Sequence, residues 1–445
     1  MTEPTRQRWL ILAHAFNMDG RAASQTITDK LPHLRRAGIE VVVLSGVSGT
    51  RDKVVEHHQL WPAGPAGLRF ELRHVLRRRF DNRVVYRLLM TLASLVLLPG
   101  LILEKLLRPV ESSWSWWLSA YLKGRALARR QPFDLIYSTG GAFAAHLAGR
   151  ALKRATGTPW LAEVHDPMVT PGTTPRTAQQ TMQARVEGLI CREADLAVWF
   201  TEQALASARA RHPGLGERGK MLLPGIDPPF QTLPPYQPGS KFIVGHFGSL
   251  SATRNLTPFI QALEALQARR PDLVAATELH VTGGPLDAVS AAKIEQSPVR
   301  ACVRHLGRIE ADPATGQSGR EQILRRMRGV DVLLLLHGEE PICEEYIPSK
   351  LYEYLWMQRP ILATVHRNPQ MAAMLRGEGH VAVQTGGPGQ DAASASRESA
   401  LALEQMYDRW RSPGLPDSGR SSPYTTQAAV GRLLDWAAPL VRRPA

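Results

Sequence analysis

Two carboxylates, Glu345 and Glu353, stand seven residues apart, and Pro348, Ser349 and Lys350 lie between them. Pro and Ser are good helix openers. The free amides of a helix start, with a lysine beside them, suit an anion. Glu353 falls about one turn further along, within reach of hydroxyls attached to that anion. A nucleoside diphosphate carries both features, a diphosphate and a ribose diol. A plainer account of the same residues is a charged loop that caps an ordinary helix.

The elements that must position these groups can be read around them. Val332 to Leu336 is a short apolar run of the kind found in strands buried on both faces of a parallel sheet. Gly338 to Pro348 is a polar loop at its carboxyl end, and Ser349 to Gln358 has helical spacing with Leu351 and Leu355 on one face. Ile361 to Val365 is the next buried strand. Ligands of open α/β sheets sit beyond the carboxyl ends of the strands. Chemistry is therefore expected in the loop and the first helical turn.

The stretch PSKLYEY, Pro348 to Tyr354, together with the Glu345–Glu353 spacing, resembles the donor-binding element of the retaining GT-B glycosyltransferases of family four. The spacing of two glutamates alone is common. The spacing with the heptapeptide and a buried strand on each side is specific. The resemblance implies an α/β fold of two Rossmann-like domains facing each other across a cleft. It implies that Glu353 binds ribose hydroxyls and that Glu345 lies near the donor sugar as a catalytic residue. Ser349, Lys350 and Leu351 belong to the same donor-binding element. Gly248 matches the family's glycine turn after the first strand of the second domain. Arg254 stands where the family has a lysine, while the family's earlier arginine is missing near Ser249, so Arg254 and Lys350 form the cationic pair. Arg308 and Ile309 match the base-contacting loop, whose contacts are mostly through backbone.

The first domain carries the resemblance more loosely. Arg8 to His14 reads as a strand, followed by a turn at Asn17 to Gly20 and a helix to about Ala37. Relatives have a Gly-Gly turn here; Asp19 and Gly20 replace it as acceptor-side candidates. Neither a Walker motif nor G-x-G-x-x-G occurs at this turn. Phe133 to Ser138 and Trp160 to Val164 read as further strands, the second ending in His165-Asp166-Pro167. In relatives with this histidine it lies near the donor sugar and supports catalysis, and Asp166, a further acceptor-side candidate, could orient the imidazole. A histidine that satisfies loop backbone is the simpler account. Adjacent His57 and His58 diverge on any regular element and have no further ligands nearby, so no metal site is expected there.

Composition bounds the rest. The 445 residues suggest two domains, and 44% hydrophobic residues is ordinary for a globular chain. Cys191, Cys302 and Cys343 lie far apart, which suggests a reducing compartment and no disulfide framework. The start of the chain does not read as a signal peptide, and a cytoplasmic location is expected. A formal charge of +14 attracts polyanions or anionic membrane surfaces. Nucleic acid is disfavoured, since no DNA- or RNA-binding signature accompanies the basic residues.

Residues 68–130 break the α/β rhythm. Arg69, Arg73, Arg77, Arg78, Arg79, Arg83 and Arg87 precede an uncharged apolar run, Leu88 to Leu103, interrupted by Pro99-Gly100. Trp114, Trp116, Trp117 and Tyr121 follow. As a helix the run would reach roughly 24 Å, short of a hydrocarbon core of about 30 Å. The pattern suits either an interfacial membrane insertion or a helical hairpin packed on its own domain.

The expected organisation is an N-terminal acceptor domain over 1–225 with the helical insertion 68–130. A linker over 226–240, a donor domain over 241–423 and a helix over 424–445 packing back toward the first domain complete it. The expected activity is sugar transfer from a nucleoside-diphosphate sugar to a glycan, lipid-linked in cell-envelope polysaccharide assembly, with neither metal nor cofactor. Competing readings are a GT-B sugar-nucleotide epimerase and a non-catalytic scaffold that binds polyanions.

Overall fold

A computed structural model describes residues 7–18, 22–310, 312, 314, 316–412, 417 and 419–441. The chain divides into two compact units, Met1–Asp227 with Tyr424–Ala445, and Pro228–Pro423.

In chain order the first unit contains β1 (Arg8–Leu12), α1 (Ala22–Arg36), β2 (Glu40–Ser45), β3 (Glu56–Gln59), α2 (Pro65–Arg79), α3 (Arg83–Leu107) and α4 (Trp116–Arg130). It continues with β4 (Leu135–Gly140), α5 (Phe143–Thr156), β5 (Trp160–Val164), α6 (Ala178–Glu193), β6 (Leu196–Trp199), α7 (Glu202–Arg211) and β7 (Gly219–Met221). The second unit contains β8 (Phe242–Phe247), α8 (Thr257–Arg269), α9 (Pro271–Ala276), β9 (Thr277–Thr282), α10 (Ala288–Gln296), β10 (Val303–Gly307), α11 (Gly319–Gly329) and β11 (Val332–Leu336). Then come α12 (Lys350–Trp356), β12 (Ile361–His366), α13 (Pro369–Gly377), β13 (Val381–Thr385) and α14 (Ala392–Arg411), and α15 (Thr426–Val441) returns to the first unit.

Each unit is built on one parallel sheet, of seven strands in the order β3-β2-β1-β4-β5-β6-β7 and of six in the order β10-β9-β8-β11-β12-β13. Helices cover both faces of the first sheet, so its strands are apolar at successive positions rather than alternate ones. In β1, Leu10 and Leu12 pack with Val42 and Leu44 under α4 and α5, while Trp9 and Ile11 pack with Val41 and Val43 against Ile27 and Leu31 of α1 and Leu433 of α15. A one-residue slip would exchange the two layers, so the register is fixed. In the second unit Phe242, Val244, Leu334 and Leu336 pack with Ile260 and Leu263 of α8 and Leu403 of α14.

The order of strands reverses between β1 and β4, and again between β8 and β11. These switch points are where loops splay apart and leave a crevice beyond the strands' carboxyl ends.

Three element boundaries differ from the sequence expectation. The apolar run does not stop at Pro99-Gly100; α3 is one helix of 25 residues that passes through Pro99. It is roughly 37 Å long, so by length and composition it could cross a membrane, and the shorter reach expected from the run alone does not hold. Pro99 lies on the exposed outer side, and Gly100 is where the helix meets Pro65, whose Cγ would lie 2.7 Å from an added Cβ. The Gly/Ala/Ser-rich stretch 386–396 is not a link throughout: Asp391 caps α14 by accepting from the Ser394 amide at 2.7 Å, and helix begins at Ala392. Helix α12 is shorter than its spacing suggested, and Ser349 at its start makes no side-chain capping bond.

Candidate active site

The switch point of the second unit gathers the groups expected for donor binding. Gly248 follows strand β8, and its amide donates to the Thr282 carbonyl of β9 at 2.9 Å. Gly248 has φ of +151°, a backbone conformation that a side chain would strain. The following turn is closed by Ser251 and Arg254, paired through their backbones in both directions. The guanidinium of Arg254 is steered by its Nε, which donates to the Ser249 carbonyl at 3.1 Å.

The loop after β11 is tied to this turn. The Thr253 hydroxyl donates to Glu340 at 2.9 Å, and the Glu339 amide donates to the Thr253 carbonyl at 3.1 Å. Within the loop, a short turn at Pro341–Glu345 carries the two adjacent glutamates apart. Glu344 pairs with Arg367 at 3.0 Å, while Glu345 is 1% exposed. Asn368 donates to the Cys343 and Tyr346 carbonyls at 3.2 and 3.0 Å and so fixes the chain beside Glu345. His337 adds a bond to the Tyr346 carbonyl at 3.0 Å. Its Nδ1 accepts from the His366 amide at 3.2 Å, so Nε2 is the donor and the ring is neutral. Burial accordingly holds its pKa down, to about 4.

Helix α12 is docked from inside. The Tyr354 hydroxyl accepts from the Phe247 amide at 3.0 Å and reaches the Leu334 carbonyl at 3.4 Å, which pins the helix where β8 and β11 diverge. On its outer turn the Lys350 ammonium donates to Glu353 at 2.7 Å, and Arg320 of α11 lies 3.6 Å from the other carboxylate oxygen. The lysine and the glutamate expected to take separate parts of a nucleotide thus hold each other. The first-turn amides of Leu351 and Tyr352 bond to the carbonyls of Pro348 and Ser349. An anion at this turn is therefore left to the Ser349 and Lys350 amides and the ammonium.

Arg308 is exposed and Ile309 half-buried in the segment after β10. The Gly307 carbonyl accepts from the Gly283 amide at 3.0 Å, joining this segment to the end of β9. Gly283 itself touches the first glycine turn: a Cβ there would fall 2.0 Å from the Gly248 carbonyl oxygen.

In the first unit, His165 is the residue that follows β5. Its ring stacks on Phe200, with centroids 4.6 Å apart. The carboxylate that holds the ring is Glu163, at 3.0 Å from Nε2, and not Asp166, which is exposed. Alternation along the strand explains this, since Glu163 and His165 point to the same side of the sheet. Thr139 donates to Glu163 at 2.9 Å and lies 2.8 Å from His165 Nε2, so that nitrogen carries a proton. Glu163 also receives Tyr137 at 2.8 Å and contacts the ammonium of Lys30 on α1. Burial alone would push the Glu163 carboxyl up; Lys30 and His165 outweigh it and hold it well below the usual range. Asp19 and Gly20 lie outside the described residues.

Four contributors were missed in the sequence. Glu163 and Lys30 had a signal: a carboxylate inside a strand buried on both faces needs a countercharge. Lys30 sits on the apolar side of α1 beside Ile27, Leu31 and Leu34. Arg320 had none, because it reaches the site from an element far away in sequence, and His246, two residues before Gly248, sits inside an apolar strand whose pattern does not show which side chain faces the site. His246 is buried with Nδ1 on the Leu334 carbonyl at 3.1 Å, and burial holds its pKa down to about 4, with Arg254 and Lys350 adding to the effect. Among the described residues no group of three or more His, Cys, Asp or Glu side chains is arranged to hold a metal ion.

Residues 22–223 match a family model described as a glycosyl transferase 4-like domain. No curated protein matches the chain. Solved structures resemble it along nearly its whole length. HepE of Anabaena, in complex with UDP and glucose, shares 13% identity over 97% of this chain and 99% of its own, with a TM-score of 0.59. A TarM variant of S. aureus, in complex with fondaparinux, alpha-GlcNAc-glycerol and UDP, shares 9% over 97% and 99%, with a TM-score of 0.57. WaaG, a glycosyltransferase involved in lipopolysaccharide biosynthesis, shares 14% over 92% and 96%, with a TM-score of 0.50. At such identities the likeness carries the fold, which is GT-B. With a glycosyl transferase 4-like domain over its first unit and the GT-B fold along both, the chain is a glycosyltransferase of GT-B architecture.

Proposed function

We propose that the chain transfers a sugar from a nucleoside-diphosphate sugar, with retention at the anomeric carbon, to a lipid-linked glycan in cell-envelope polysaccharide assembly. The observation that carries the donor half is the joined pair of loops at the β8–β11 switch point, with Gly248 and Arg254 on one and Glu345, Lys350 and Glu353 on or after the other. Glu353 takes the ribose diol, which frees Lys350 to meet the diphosphate with Arg254. Gly248 lets the backbone approach the phosphates, and Arg308 and Ile309 present backbone to the base. UDP is the favoured nucleotide, since it occupies the complexes of the HepE and TarM relatives.

As the glycosidic bond breaks, negative charge grows on the leaving diphosphate. Fixed cations at that point stabilise the transition state more than the ground state. Glu345, buried next to the loop that carries it, is assigned to the donor sugar rather than to nucleophilic attack. His165, held by Glu163, is the catalytic group assigned to the first unit. No step here is assigned to a metal or cofactor.

The acceptor half is supported by the exposed apolar face of α3 and its basic flanks, which suit the cytoplasmic face of a membrane. The experiment is incubation with UDP-glucose, UDP-galactose and UDP-N-acetylglucosamine, with and without membrane lipid extract. Release of UDP that requires the extract, reduced about a hundredfold in Glu345→Gln, supports transfer. Conversion of the donor to an epimeric sugar nucleotide without extract overturns it.

A further inference from the structure

We infer that the first unit binds a lipid-borne phosphate in the cavity at the carboxyl end of α3, with the lipid chain along that helix's outer face. This rests on the membrane-borne acceptor proposed above and names the group by which it is held.

The outer face of α3 is the first observation. Its inner side, through Tyr86, Met90, Ala93, Ser94, Leu97 and Leu101, is half-buried and turned to α2. Its outer side is apolar and open to solvent: Leu95 is 59% exposed, Val96 80%, Leu103 58% and Leu106 76%. A soluble helix that packs by one face carries polar residues on the other. Here the only polar residue on the outer side between Leu88 and Leu103 is Thr91. Contiguous apolar surface of this kind marks an interaction site.

The second observation says what covers it. Arg83 and Arg87 stand at one end of the face and Lys105 and Arg108 at the other. Uncharged residues between cationic ends suit a helix lying in the plane of an anionic bilayer, with the long basic side chains reaching the headgroups.

The third observation is the cavity. It measures about 320 Å³ and is lined by Ala66, Leu101, Glu104, Lys105, Arg108 and Val110, among others. Its two cations close α3, Lys105 on the last turn and Arg108 just past it, where the helix dipole favours them. The one carboxylate in the wall is already engaged: Glu104 accepts from the Ala66 amide and from the Trp114 indole. That engagement leaves Lys105 and Arg108 to a phosphate. The Arg108 guanidinium lies over the Trp114 ring, 5.0 Å from its centroid, which holds it at the rim.

The position also suits an acceptor. Three residues after Arg108, Glu111 receives a bond from the Phe143 backbone, at the start of α5 just beyond the carboxyl end of β4. A phosphate held at Arg108 would therefore place its attached glycan near the carboxyl edge of the first sheet, where His165 follows β5, the neighbour of β4.

The test is flotation of the full chain with phosphatidylcholine vesicles containing a minor share of phosphatidic acid, or of phosphatidylglycerol at matched charge. Wild type is expected to prefer phosphatidic acid, whose phosphate, like a glycan-bearing lipid diphosphate, carries more than one negative charge that no headgroup screens. Lys105→Ser/Arg108→Ser should lose that preference, with binding to phosphatidic acid falling roughly tenfold or more. Arg79→Ser/Arg83→Ser should weaken both lipids alike, and Leu95→Asp/Val96→Asp should abolish flotation. The proposal is overturned if the Lys105/Arg108 variant weakens both lipids equally. Competition by inorganic phosphate as effective as that by short-chain phosphatidic acid would make it a free-phosphate site. A soluble dimer that Leu95→Asp/Val96→Asp splits would make the face a contact between copies. Thermal stabilisation by UDP, unchanged in the Lys105/Arg108 variant, keeps this result separate from the donor reading: either can fail without the other.

Discussion

The Lys350 ammonium lies 2.7 Å from the Glu353 carboxylate on the same turn of α12, and the pair is partly shielded from solvent. Each holds the other in the position that a nucleotide would have to claim. Binding a diphosphate and a diol there exchanges one ion pair for two sets of charge-assisted bonds. The pair is therefore coupled in binding as well as in the free protein.

This coupling is measurable. Lys350→Ala and Glu353→Ala should each weaken UDP binding about tenfold or more, on the scale of one charge-assisted bond. The double variant should lose less than the two losses summed, because each single variant also breaks the ion pair that positions the remaining partner. Titration calorimetry of the four proteins gives the coupling directly.

The buried pair in the first unit behaves differently. Lys30 and Glu163 both have fully buried side chains and contact one another. Lys30→Met strands the carboxylate and should destabilise the first unit by about 3–5 kcal/mol. Lys30→Met/Glu163→Gln should recover most of that loss. Urea unfolding with an unchanged m-value is the check.

Gly283 supports the donor turn through close approach. An alanine there would force its Cβ onto the Gly248 carbonyl oxygen. Gly283→Ala should destabilise the second unit by about 1–3 kcal/mol and weaken nucleotide binding in parallel. Gly284→Ala, whose added Cβ meets nothing within 4 Å, is the control that should do neither.

Acid should destabilise the protein before its carboxylates titrate. Burial lowers the pKa of His146, His246 and His337 to about 4. The unfolded chain takes up these protons near pH 6.5, and the folded chain does not until about pH 4. Stability contributed by neutral burial is thus full above pH 6.5 and is lost as pH falls toward 4. Each histidine adds a slope of about 1.4 kcal/mol per pH unit within that window. His146→Gln should remove one such share from the slope, read from urea midpoints across the window.

Much of the fold was legible because it rests on local pattern. The unbroken apolar runs of β1, β2, β11 and β12 identify strands covered on both faces, and PSKLYEY marks the turn after β11. What escaped was set by distance in sequence. Arg320 reaches Glu353 across 33 positions, and Lys30 meets Glu163 across 133. Neither partner is visible in its own neighbourhood. Asp166 adjoins His165 in sequence and so suggests itself as the group that orients the ring, yet pleating turns adjacent residues to opposite faces and alternate ones together. Pro99 suggested a break, but a proline on an exposed outer face removes one bond from a helix held along its other side by α2.

The central claim is that the β8–β11 switch point binds a nucleoside diphosphate. The most direct measurement is thermal unfolding of wild type and Glu353→Ala with UDP, GDP, ADP and CMP. At about a hundred times its dissociation constant, the bound nucleotide should stabilise the second unit by about 2.7 kcal/mol, a rise of roughly 5–10 °C. We expect that rise with UDP, and a much smaller one in Glu353→Ala at the same concentration. Folded wild-type protein that none of the four nucleotides stabilises, or an equal rise in both proteins, would contradict the account.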